Sequence, residues 1–200
     1  MNKISMVFLG AALAALALPL SAQTTTDNSQ PQTINQRKEN QQDRIANGVQ
    51  SGQLTAGETK NLETKESDIN HEEHDMRKLD DGHLTSSDRT TLNQQQNRES
   101  HQIYNDKHNA QVQNTDPKSE VGQRQRNQQE RIAQGIKSGQ LTAGETSHLE
   151  GHEAAVNHEI HNDRSANGGK LTPGEKAKVN GQENRNSARI YRDKHNGRKQ

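Results

Sequence analysis

The chain has 200 residues, with 26 basic and 26 acidic side chains, no cysteine and no tryptophan, and aromatics make up only 2% of it. A net charge of zero with interspersed signs gives no electrostatic footprint for nucleic acid or an anionic membrane surface. The absence of cysteine excludes disulfides, thiolate metal sites and a lipid-modified cysteine.

Residues 1–22 read as a secretory leader. Lys3 supplies the positive start, Ile4 to Leu18 an apolar run, and Pro19-Leu20-Ser21-Ala22 a small-residue cleavage site. The apolar run is shorter than the ~20 residues a spanning helix needs, so no membrane anchor is expected once the leader is removed. The expected location is periplasmic or secreted. Residues 23–35, rich in Thr, Gln and Asn, are expected to be disordered.

The rest of the chain is a duplication. Asn40-Gln41-Gln42-Asp43-Arg44-Ile45-Ala46 returns as Asn127-Gln128-Gln129-Glu130-Arg131-Ile132-Ala133, and Ser51 to Thr59 returns letter for letter as Ser138 to Thr146. Asp106-Lys107-His108-Asn109 returns as Asp193-Lys194-His195-Asn196. All pairs lie 87 positions apart. The units are 36–110 and 123–197, joined by a turn-rich linker at 111–122 and followed by a tail at 198–200.

Gly-x-Leu-Thr-x-x-acid occurs twice per unit, at Gly52 to Glu58, Gly82 to Asp88, Gly139 to Glu145 and Gly169 to Glu175. Glycine suits the left-handed residue that closes a helix, and threonine suits the N-cap of the next. The acid three residues on completes a capping box. Pro173 falls at a first helical position, where its missing N–H costs nothing. The pattern predicts an all-α protein of two tandem three-helix units, with helices at 36–50, 55–80 and 85–108 in the first, antiparallel across short connections.

The middle helix carries an apolar line at Leu62, Ile69 and Met76, with Leu79 close by. The third carries Leu92, Ile103 and Tyr104, where tyrosine is expected to close the core. Such a core is thin. Marginal stability is expected, with an extended helical-hairpin arrangement as an alternative to two compact bundles. The carboxylates look spread along solvated faces among Lys and Arg, none in an apolar setting.

Chemistry-bearing patterns are sparse. The Gly-x-Leu-Thr-x-x-Glu spacing is similar to the second half of an EF-hand loop, but ligand position three would be Val49, Leu79, Ile136 or Ala166 and position one Arg77 in one copy and Arg164 in another, which argues against calcium. His71 and His74 share a helical face, as do His158 and His161, and His148 and His152 lie four apart. These spacings suit weak Zn, Cu or Ni chelation through imidazole, and His71, His74, His158 and His161 are the candidate metal ligands. No phosphate loop, nucleophile elbow or His-Glu-x-x-His occurs, and no catalytic residue or cofactor is expected.

The Arg-Ile-Ala-x-Gly-x-x-Ser-Gly-Gln-Leu-Thr-Ala-Gly-Glu stretch at 44–58 and 131–145 resembles repeats in bacterial exported proteins of unknown function. The Leu-Thr-x-x-Glu element is also similar to the Leu-Thr-x-x-Gln motif of periplasmic stress chaperones of the Spy and CpxP type, with Glu or Asp in place of Gln. So much polar surface over so little core points to a non-enzymatic envelope role, of interaction or stress protection, with an unidentified envelope protein or client proteins as partners. Divalent-metal buffering by the histidine pairs is the alternative.

Overall fold

The computed structural model describes residues 32–113, 115–116 and 118–199. The proposed leader, residues 1–22, and most of the segment 23–35 lie outside them. The described chain is helical, with no strand. Its elements are α1 (Ile34–Ser51), α2 (Ala56–Leu79), α3 (Ser86–His108), α4 (Glu120–Lys137), α5 (Ala143–Ala166) and α6 (Pro173–Lys194).

The Gly–Thr junctions behave as chemistry dictates. Thr55, Thr85, Thr142 and Thr172 each cap the helix that follows, and each is answered by the acid three residues on. At Thr142, the Glu145 backbone N–H donates to the threonine hydroxyl at 3.3 Å, and the Thr142 N–H donates to the Glu145 carboxylate at 3.0 Å. Gly52, Gly82, Gly139 and Gly169 all have φ between 65° and 89°, the left-handed conformation that a side chain resists.

Two helices begin earlier than their apolar patterns indicate. Thr33 and Gln36 form a capping box that starts α1 at Ile34, inside the segment expected to be disordered. Ser119 caps α4, so Glu120, Val121 and Gly122 belong to the helix rather than to the linker.

The repeated motifs tie each unit's helices to one another. Arg44 donates to the Ser100 hydroxyl at 2.6 Å, and Arg131 to that of Ser187 at 2.7 Å. Lys107 reaches the Arg44 carbonyl, as Lys194 does that of Arg131. Asn109 and Asn196 donate to the capping acids Glu58 and Glu145, each at 2.7 Å. Gly48 lets the α1–α2 junction fold back on α1: a Cβ there would lie 2.6 Å from Leu54 Cδ1, and one on Gly135 the same distance from Leu141 Cδ1.

The chain from Gln32 onward is one compact unit. α2 packs along α5 and α1 along α4. The Thr64 and Ser147 hydroxyls lie 2.7 Å apart, and Lys60 meets both Ser147, which donates to its carbonyl, and the Gly151 backbone. Rising residue numbers on α2 therefore meet falling ones on α5, so the two run antiparallel. Adding 87 turns Lys60 into Ser147 and Thr64 into Gly151, so the contact is its own complement. Leu62 and Leu149 sit at its midpoint.

This pairing supplies the core that one unit lacks. Ile45, Ala46, Val49, Leu54, Leu62 and Ile103 merge with their counterparts Ile132, Ala133, Ile136, Leu141, Leu149 and Ile190 into one buried cluster. Ile34, Ile69, Leu84 and Leu92, with Met76 against them, form an outer cluster in the first half, and Val121, Val156, Ile160, Leu171 and Val179 form one in the second. Two expectations about the core fail. Tyr104 and Tyr191 are 58% and 61% exposed, because the inward stripes of α3 and α6 end on Ile103 and Ile190, and the next residue turns outward. Leu79 is 84% exposed at the end of α2.

Candidate functional site

The four histidines nominated as metal ligands fall into two separate pairs. His71 and His74 lie on α2, His158 and His161 on α5, and the antiparallel pairing carries the pairs to opposite ends of the α2–α5 contact. All four are exposed. Among the described residues, no three His, Asp or Glu side chains are grouped so as to hold a metal ion. At one end, His71, His74 and His148 line a single groove of about 470 Å³, together with Glu145, Arg198 and Lys199. The counterpart of His148 in the first copy is Asn61, so the His158–His161 end has no third imidazole at that position.

The EF-hand-like spacing is put to other use. Val49 and Ile136, at the third ligand position, are core residues, and the closing acids accept hydrogen bonds from their own N-cap threonines. Hydrogen bonds from Thr85 hold the Asp88 carboxyl below its ordinary range, as those from Thr172 do for Glu175.

The interior holds what sequence reasoning missed. On each helix of the first unit, polar residues sit between the central and outer apolar clusters: Gln41 and Gln42 between Ile34 and Ile45, Glu63 and Glu66 between Leu62 and Ile69, and Gln96 and Glu99 between Leu92 and Ile103. The second unit repeats the arrangement with Gln128, Gln129, Glu150, Glu153, Glu183 and Asn186. None of the twelve is more than 4% exposed. The expectation that no carboxylate sits in an apolar setting is therefore wrong.

Amide groups supply the N–H donors of these layers. Gln42 donates to Glu63 at 3.1 Å, and Gln129 to Glu150 at 2.9 Å. Gln41 donates to the Gln96 carbonyl, Gln96 to the Ile34 carbonyl, and Gln128 to both the carbonyl and the carboxyl of Glu183. Asn186 donates to Glu153 at 3.3 Å. The acids are strongly perturbed, and burial is the leading cause in every case. Glu66 is pushed up to about 8 and Glu99 to about 7, while Glu63 rises well above the carboxylate range. Glu150 rises to about 8, Glu153 to about 9 and Glu183 to about 7. Like charge adds to burial at Glu66 from Glu99, and at Glu153 from Glu183 and Glu150.

The surface carries a second duplicated feature. Tyr104 stacks on His108 and Tyr191 on His195, each with ring centroids 4.2 Å apart. In each pair the His Nδ1 lies within hydrogen-bonding distance of the tyrosine's own carbonyl oxygen, 2.7 Å and 2.6 Å away.

Fold and site together define an all-α protein in which two copies of a three-helix unit enclose two acid–amide layers. Comparison with protein-family models, with curated proteins and with solved structures found no match to this chain. No helix among the described residues is long and apolar enough to cross a membrane.

Proposed function

We propose that this is a non-enzymatic exported protein that binds other polypeptides in the cell envelope, in a stress-protective, chaperone-like role. One observation carries the reading. Beyond Phe8 the chain has two aromatic side chains, and both stand on the surface, at matching positions, flat against a histidine. Tyrosine offers a large rigid contact area with a polar tip and is enriched at binding hot spots. In a chain with so few large apolar side chains, placing neither aromatic in the interior favours a contact role. The Tyr104→Ala/Tyr191→Ala variant should keep the wild-type circular dichroism spectrum, since neither ring is buried. It should lose at least about half of the wild-type suppression of light scattering by an unfolded client, because contact hot spots carry ~2 kcal/mol or more. Equal suppression by both proteins, or none by the wild type, would remove the proposal.

A second reading, divalent-metal buffering, is favoured by His71, His74 and His148 lining one groove. Under it, calorimetric titration with Zn, Cu or Ni gives binding tighter than millimolar that His148→Ala weakens by about tenfold. The Arg198 and Lys199 side chains in the same groove count against it. A titration with no heat above the millimolar range would end it.

A further inference from the structure

The unpartnered atoms of the two interior layers share one chemical character. In the first unit they are Glu63 Oε1, both oxygens of Glu66, Glu99 Oε1, and the Oε1 atoms of Gln41, Gln42 and Gln96. In the second they are Glu150 Oε1, Glu183 Oε1, and the Oε1 atoms of Gln128 and Gln129. Every one is an acceptor oxygen. Each glutamine nitrogen already donates to a carbonyl or a carboxyl, so the unmet need in the layers is for hydrogens to reach these oxygens. A buried acceptor without a donor is costly, and a shortage of this kind, repeated in both halves, calls for hydrogen donors in each layer.

The duplication indicates what that is. Glu63 and Glu66 recur as Glu150 and Glu153, but Gln96 becomes Glu183 while Glu99 becomes Asn186. Acid and amide have changed places, yet each layer keeps three acids and three amides. A neutral carboxylic acid and a carboxamide are alike in planar shape and in presenting both an acceptor oxygen and a hydrogen to donate. A carboxylate and a carboxamide are not.

We propose that both layers are loaded with protons in the folded protein and form a pH-operated lock, in which acid O–H groups bonded to neighbouring amide and carboxyl oxygens hold each three-helix unit shut and their ionisation releases it. Protonating the three acids of the first layer turns three of its seven unpartnered oxygens into donors, enough for three of the four that remain. Protonating Glu150 and Glu183 does the same for the second layer's two glutamine oxygens.

The surroundings match. Facing the first layer are Lys38 from α1, Lys65 and Glu73 from α2, Asp106 from α3 and Glu150 from α5. Lys38 is held by Glu73 at 3.1 Å, and Lys65 stands off Glu99 at 3.7 Å, half exposed. Facing the second are Arg124 from α4, Arg189 from α6 beside Asn186, and Glu63 from α2. These few cations lie at the layers' edges. Glu99 lines an open groove of about 430 Å³ between α2 and α3, which gives protons a way in and out.

The direction of the pH effect follows. Glu66, Glu99, Glu150, Glu153 and Glu183 are pushed up to about 7 to 9 in the folded chain, from near 4.5 when unfolded, and Glu63 is raised in the same direction, so the folded state holds protons that the unfolded chain has lost. Their contribution is fully present below about pH 4.5 and is lost as pH rises through about 7 to 9. The full chain should therefore melt at its highest temperature near pH 5 and roughly 10 °C or more lower at pH 9. Unfolding at pH 6 should release close to one proton per buried acid, read by unfolding in two buffers of different ionisation heat. Glu66→Gln/Glu153→Gln, which keeps shape and removes two titrating groups, should flatten the pH profile. Should that variant not fold, proton release by the wild type decides the matter. A melting temperature flat or rising from pH 5 to 9, or unfolding at pH 6 without proton release, would overturn the proposal. So would restoration of the pH 5 melting temperature at pH 9 by Ca²⁺, Mg²⁺ or Mn²⁺, which would make the layers cation sites.

Discussion

Replacing Leu62 with alanine is expected to lower the stability of the whole helical body by about 3 kcal/mol or more, and to do so in a single transition. Leu62 is fully buried, lies at the midpoint of the α2–α5 contact, and belongs to the one cluster that draws on both copies of the repeat. Its removal takes away apolar transfer energy and leaves a cavity at a place where two rigid helices meet, so collapse around it is limited. For a body of this size the melting temperature should drop by roughly 10 °C. Thermal scans by calorimetry and by circular dichroism should coincide in wild type and variant alike. Leu149→Ala should match it within ~1 kcal/mol. The double variant should depart from additivity, because both side chains occupy one cluster. Two resolved transitions in Leu62→Ala, one of them at the wild-type temperature, would mean that the units fold independently.

The second large effect has the opposite sign. Glu66→Leu should stabilise the protein at pH 9, by ~1–3 kcal/mol, although it deletes a charged residue from a helix in a hydrophilic chain. Both Glu66 carboxyl oxygens are buried without a hydrogen-bond partner, and Lys38, the cation that acts on it, is already bound to Glu73. At pH 9 the folded chain must either hold a charge in that place or keep a proton against the solution. Leucine, of comparable volume, removes both costs. Towards pH 5 the acid is neutral in the folded chain, and the gain should shrink to nothing or reverse slightly. Denaturant titrations at the two pH values measure the crossover. A variant less stable than wild type at pH 9 would show that the carboxylate has a compensating partner.

The helices were legible because their boundaries are written in local chemistry. A glycine forced to positive φ, a threonine hydroxyl and an acid three residues later act within one turn of chain, and spacing alone reveals them. The capping box at Thr33 and Gln36 is equally local, but no apolar line follows closely behind it to mark a helix there. The interior was not legible for a different reason. Glu63, Glu66 and Glu99 sit among Lys, Thr, Ser and Asn in stretches that look like solvated faces, and only partners far away in sequence bury them. One trace was available. The apolar line of α3 jumps from Leu92 to Ile103, and that of α2 from Leu62 to Ile69, and the inward positions inside those gaps are Gln96, Glu99 and Glu66. The tyrosines were misplaced by one residue of helical phase, which an apolar count cannot register. The histidine pairs were placed correctly on their helices, but the antiparallel pairing that parts them acts between the two copies.

The α2–α5 contact has a final implication for how this chain holds itself together. A surface that matches itself under the repeat could join two separate molecules as readily as two halves of one, and such a union would dissolve on dilution. Carrying both copies on one chain, with about ten residues from Asn109 to Ser119 as the tether, replaces the bulk concentration of a partner with a fixed local one, on the order of millimolar for a short connection. The assembled core then persists however scarce the protein becomes.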